Sequence, residues 1–280
     1  MITKQIFNDL GNLHCKDGPA RVHSDGKQEY FINNSLHRED GPAIIESNGD
    51  QKFYYLGFLH RVNGPAIIRA NGDEEYYWNN MLHREDGPAR TINNTIQHWY
   101  YFGKLHRIDG PSIKDDDMEQ WYFKGVRHRK DGPAIICKNG TEEWLFNGQH
   151  HRLDGPAISH FLGQQEWFKN GYRHREDGPA VENKKKNIEE WWLNNLQHRI
   201  DGPALVRGIY KKWFRHGLLH REDGPAIDEP NNQQWYIKNR LHRADGPAVI
   251  QNNDKRYFLR GMEYSYDNWQ KCREPFIDGL

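Results

Sequence analysis

An aromatic pair, two residues suited to a tight turn, a Leu-His-Arg triplet and then Asp-Gly-Pro-Ala: this order of apolar and polar positions returns along nearly the whole chain. The histidines that mark it are His14, His37, His60, His83, His106, His128, His151, His174, His198, His220 and His242, spaced by 22 to 24 residues. A fixed period of this length is the mark of a repeat array. Counting from each histidine as zero, position minus seven is always aromatic, from Phe7 and Tyr30 through Trp235, and position minus three is always Gly or Asn. Those two types tolerate a positive φ, and pairs such as Asn147-Gly148 and Asn79-Asn80 predict a two-residue type I′ hairpin loop.

A two-residue loop fixes the register. Minus six then faces minus one, as Tyr77 faces Leu82 and Tyr100 faces Leu105, an aromatic-aliphatic cross-strand pair. Minus seven faces the histidine, and minus eight faces the arginine at plus one: Glu29 with Arg38, Glu75 with Arg84, Glu143 with Arg152, Glu166 with Arg175, Glu190 with Arg199. After the hairpin, Asp-Gly-Pro-Ala predicts a bend, with Gly132 there and Gly148 in the hairpin loop both expected at a positive or unusual φ. A short aliphatic strand follows, such as Ala134-Ile135-Ile136, and ends in a second turn such as Asn139-Gly140. Every change in repeat length falls at that second turn, so it is the free loop of the unit.

The unit Glu-Trp-x-x-Asn-Gly-x-x-His-Arg-x-Asp-Gly-Pro-Ala resembles the MORN repeat, in its divergent His-Arg-x-Asp-Gly-Pro form, over residues 5 to 261. The resemblance implies stacked β-hairpins and a scaffolding, partner-binding or membrane-apposition role. Arrays of this variant are frequent in large DNA viruses, phages and some bacteria, which implies a viral or virion-associated component. The fold expected is therefore all-β: an elongated repeat array of stacked antiparallel β-hairpins in a single twisted sheet or solenoid over residues 1–261. Residues 262–280 form a C-terminal cap, where Ser265 or Asp267 starts a short helix that Pro275 stops. The first copy departs from the pattern, with Cys15 in the arginine position.

Composition narrows the function. Lys+Arg and Asp+Glu are 39 each, a net charge of +0, so neither nucleic acid nor a membrane is expected as a partner. Hydrophobic residues make up 36% and aromatics 13%, which argues against a thick aliphatic core and for many small aromatic packing sites. Three cysteines without short spacing suggest neither a disulfide framework nor a zinc site, and fit a reducing compartment. With no signal-like or long apolar stretch, a cytoplasmic, non-secreted protein is expected, in the host cytoplasm or virion if viral.

His83 with Asp86 is the pattern of a general base and its orienter. A constellation that recurs along the array, with Asn63 substituting once for the aspartate, is better read as structural, because chemistry belongs to a site that differs from its surroundings. Repeat histidines about 9.5 Å apart, two strands at ~4.8 Å each, cannot share a metal. No phosphate loop, nucleophile motif or paired carboxylates stand out, so no enzyme activity, catalytic residue, metal or cofactor is expected. The least repeat-like surfaces are the candidate partner-binding residues: Asp115, Asp116 and Asp117 in one free loop, Lys184, Lys185 and Lys186 in another, and the aromatic mass at Trp191 and Trp192. Tyr76-Tyr77-Trp78 is a second aromatic concentration. The reading is a non-enzymatic scaffold for protein-protein interaction, with self-association through the end hairpins as a further route; the alternative is a glycan-binding or adhesive array that uses the aromatic rows.

Overall fold

The computed structural model describes residues 1–276 as an all-β array of antiparallel hairpins with one short C-terminal helix. It divides into two compact units, Met1–Asn139 and Gly140–Leu280. Within each, every repeat contributes to two layers. In the first unit, Gln51–Lys52, Ile67–Ile68, Glu74–Glu75 and Arg90–Ile92 pair in turn as successive rungs of one antiparallel ladder. In the second unit Gln165–Glu166, Val181–Asn183, Ile188–Glu190 and Leu205–Arg207 do the same. Beside the ladder stands a row of separate two-stranded hairpins, such as Tyr77–Trp78 with Met81–Leu82.

The hairpin register is the one the turn residues demand. Tyr77 lies opposite Leu82 and Trp78 opposite Met81, with Asn79 at φ 47 and Asn80 at φ 65, the double positive φ of a type I′ turn. Asn at minus three also explains itself: the Asn80 Oδ1 accepts from the Leu59 N–H at 2.7 Å in the preceding hairpin, a bond glycine cannot make. The expected continuation of that register is made by one bond at minus seven and goes no further. At minus seven the strand changes partner: the Tyr76 N–H donates to the Ala89 carbonyl at 2.7 Å, while its own carbonyl accepts from the His83 N–H at 3.0 Å. The minus-seven aromatic is thus the joint between ladder and hairpin.

This joint overturns the expected Glu–Arg cross-strand pairs. Glu75 stays in the ladder opposite Ile67 and Arg90, and its carboxylate accepts from Arg69 and the Tyr77 hydroxyl, each at 2.8 Å, not from Arg84. Glu29 is held by Arg21, His23 and Lys27 in place of Arg38. Glu143 pairs with His150, Glu166 with Arg173 and Glu190 with Arg207, none with the arginine at plus one. Burial pushes the Glu29 carboxyl up, but bonds from His23, Lys27 and Arg21 prevail and hold it below its usual range.

The buried layer between the two rows is made of small and aliphatic side chains. The alanine of each Gly-Pro-Ala, from Ala20 to Ala248, is 0% exposed, as is Ser112 where it replaces alanine. The Ser112 hydroxyl donates to the Tyr122 carbonyl and accepts from its N–H, so its burial leaves no polar group unpaired. Leu59, Ala66 and Ile67 pack with Tyr54 and Tyr77, and Ala248, Val249 and Phe258 with Trp235 and Leu241. At the C-terminus Ser265 caps the helix Tyr266–Cys272, which ends before Pro275. Its Trp269 is buried against Tyr257 and donates to the Arg243 carbonyl, covering the last hairpin. Residues 277–280 of the expected cap lie outside the described residues.

Candidate functional site

The repeated arginine and aspartate hold the bend of their own repeat, and the histidine ties it to the next. The arginine at plus one lies flat on the minus-seven ring: Arg107 stands 4.1 Å from the Trp99 centroid, Arg175 4.0 Å from Trp167, Arg221 3.9 Å from Trp213. Its Nε donates to the aspartate at plus three, as Arg107 does to Asp109 at 2.9 Å. That bond, followed by the attraction of the guanidinium charge, holds the Asp109 carboxyl below its usual range. The glycine that follows the aspartate makes room for the guanidinium. A Cβ on Gly132 would lie 2.7 Å from the Arg129 Cζ, and Gly132 does not sit at positive φ as expected; Gly148, at φ 79, does.

The histidine reaches forward to the next repeat. Its Nδ1 accepts the N–H of the first loop residue there: Leu56 to His37 at 3.2 Å, Phe102 to His83 at 3.3 Å, Asn170 to His151 at 3.0 Å, Arg260 to His242 at 3.1 Å. His83 and Asp86 do not form a base and its orienter: Asp86 is taken by Arg84 at 2.8 Å. Grooves between successive bends recur along the array, one of about 660 Å³ lined by Arg84, Asp86, Trp99, Tyr101 and His106. Another, of about 590 Å³, is lined by the equivalent Arg152, Asp154, Trp167 and His174. Among the described residues no group of three His, Cys, Asp or Glu side chains could hold a metal ion.

What distinguishes one stretch of surface from the rest lies at minus five. Tyr55, Trp78, Tyr101 and Phe123 occupy this position in four successive hairpins of the first unit and are 41 to 49% exposed. Their cross-strand partners are Phe58, Met81, Lys104 and Val126, of which Phe58, Met81 and Val126 are also exposed apolar side chains. Imidazoles stand between the rings: His37 is 5.0 Å from Tyr55, His60 4.5 Å from Trp78, His83 4.9 Å from Tyr101, His106 4.9 Å from Phe123. In the second unit Phe146 holds the same position exposed, followed by Lys169, Leu193 and Arg215.

The other candidates sit elsewhere. Asp115 shapes its own turn, its Oδ1 accepting from the Asp117 and Met118 N–H groups, and Asp116 and Asp117 are exposed. Lys184–Lys186 form one 3-10 turn capped by buried Asn183, all three side chains exposed. The acidic loop belongs to the first unit and the lysine turn to the second. Trp191 is half-buried under Arg199, and Trp192 is half-buried and donates to Glu190, so these rings pack within the array. Of the second concentration, Tyr76 lies under Arg84, Tyr77 packs inward and only Trp78 faces solvent. The minus-five row was missed; its signal was present in the aromatics that alternate with minus seven in successive repeats.

No protein-family model matches the chain, and no curated protein matches it. Among the described residues no helix is long and apolar enough to cross a membrane.

Proposed function

We propose that this chain is a non-enzymatic, MORN-like repeat scaffold that binds protein, and that the partner docks on the ring strip of the first unit. The observation that supports this reading is the exposure of Tyr55, Trp78, Tyr101 and Phe123 beside Phe58, Met81 and Val126. Rigid rings rich in apolar area carry most of the energy in protein interfaces. A sugar-binding row needs polar neighbours to hydrogen-bond the hydroxyls, and three of the four cross-strand neighbours here are apolar, which favours a protein partner over the glycan alternative. The repeated His, Arg and Asp serve as the frame that sets the ring spacing. A viral or virion-associated role follows from the resemblance alone and belongs to the same proposal.

The test compares the wild-type chain with Trp78→Ser/Tyr101→Ser/Phe123→Ser and with Lys184→Ala/Lys185→Ala/Lys186→Ala as immobilised baits, together with a glycan array. Proteins retained by the wild type should be lost from the ring variant and kept by the lysine variant. Equal retention by the ring variant, or glycan binding that the ring variant abolishes, would overturn the proposal.

A further inference from the structure

An imidazole nitrogen that accepts a hydrogen bond carries no proton, so each histidine whose Nδ1 receives a loop N–H is in the neutral, Nε2-protonated form. Protonating Nδ1 would set a donor against a donor. Four of these joints carry a basic residue in the loop that is held: Lys124 donates to His106 at 3.2 Å, His216 to His198 at 3.1 Å, Lys238 to His220 at 3.2 Å and Arg260 to His242 at 3.1 Å. We propose that the joints of His106, His198 and His242 are acid-released couplings, in which protonation of the imidazole frees the following hairpin loop while the ladder beneath stays paired.

The groups around each ring agree with this. His106 faces Lys124 on the loop, Tyr101 on its own hairpin at 6.0 Å and Phe123 at 4.9 Å. It shares its groove with Arg84, Glu85, Asp86, Arg107 and Asp109, where Asp86 and Asp109 are already bonded to Arg84 and Arg107. His198 stacks on the His216 ring at 4.2 Å with Arg215 nearby, and His242 faces Arg260 and the Phe276 ring. Burial first, and then these basic neighbours, hold all three rings below the ordinary histidine range. The folded chain therefore favours the neutral rings. Each joint contributes fully above the free imidazole range and is lost as pH falls through that range to the lowered folded value. The ladder bonds, such as Ser112 N–H to the Gln120 carbonyl and Trp121 N–H to the Ala134 carbonyl, involve no titrating partner.

The test is residue-resolved amide exchange of the full chain between about pH 8 and pH 5, corrected for intrinsic rates, with the His106 ring followed by NMR. Protection of the Lys124 amide should fall by up to about tenfold per pH unit between the free imidazole range and the ring's lower folded midpoint, while that of Ser112 holds. Asparagine places an oxygen that cannot be protonated where Nδ1 stands, so His106→Asn should keep the Lys124 amide protected throughout, whereas His106→Ala should leave it unprotected throughout. If the alanine variant fails to fold, the comparison of wild type with His106→Asn still decides. Lys124 protection that persists after the wild-type ring is charged, or that falls identically in His106→Asn, would overturn the proposal.

Discussion

Replacing Arg107 should loosen its own repeat, and the structure sets the size of the effect. The guanidinium lies 4.1 Å from the Trp99 centroid, and its Nη1 donates to the Pro111 carbonyl at 3.4 Å. A partly desolvated cation–π contact is worth about 1 kcal/mol, and a long charged hydrogen bond about another. Asp109, 82% exposed, contributes little because solvent screens an ion pair of that kind. Arg107→Ala should therefore cost about 2 kcal/mol, or roughly thirtyfold in local protection. Arg107→Lys keeps the charge and loses the flat stack and the fork, so it should recover less than half. In a repeat array the loss is local, and amide exchange reads it at Trp99 and His106, whose N–H groups bond Ser112 and Trp99. Full rescue by lysine would show that charge pairing, not stacking, holds the bend, and a loss under about 0.5 kcal/mol from alanine would refute the joint altogether.

Gly148→Val, at φ 79, should cost about 1 to 3 kcal/mol, while Lys185→Ala on an exposed turn should cost under about 0.5 in the same urea titration. Leu56 is forced to φ 48 with its side chain half exposed, so Leu56→Asn should raise stability by about 1 kcal/mol; a neutral result would mean the loop is not left-handed. Burial, then the bond to Glu75, pushes the Tyr77 hydroxyl up to about 12, so its contribution is complete below the free tyrosine range and declines as pH rises through about 12. The difference in alkaline absorbance between wild type and Tyr77→Phe should accordingly lack a transition near 10.

The hairpins were legible because Asn-Asn and Asn-Gly pairs dictate a local backbone geometry, and the structure places Tyr77 opposite Leu82 across Asn79-Asn80 as that geometry requires. The helix at Ser265 was legible for the same reason, a local cap; it ends at Cys272, and Pro275 lies in a following 3-10 turn, Glu274–Phe276. The strand switch at minus seven was not, because it depends on a competing carbonyl from the following Gly-Pro-Ala, a partner brought in by the fold. Without that switch, opposite charges at minus eight and plus one suggested an ion pair, and the stacking of Arg on the aromatic ring stayed hidden. Gly132 does not sit at positive φ, and its lack of a side chain makes room for the guanidinium of Arg129. Trp191 and Trp192 drew notice by mass, yet exposure follows from position in the repeat, and it is minus five that faces solvent in the first unit.

Site-specific photo-crosslinking tests most directly whether recognition belongs to the exposed rings and the repeated motif to the frame. A benzophenone amino acid is placed at position 78, 101 or 123 in one set of chains, and at position 116 or 185 in another, and each is irradiated with the proteins that the wild type retains. Adducts should form from the ring positions and not from the two loops. Adducts confined to positions 116 or 185, with none from the rings, would contradict the assignment of the partner surface.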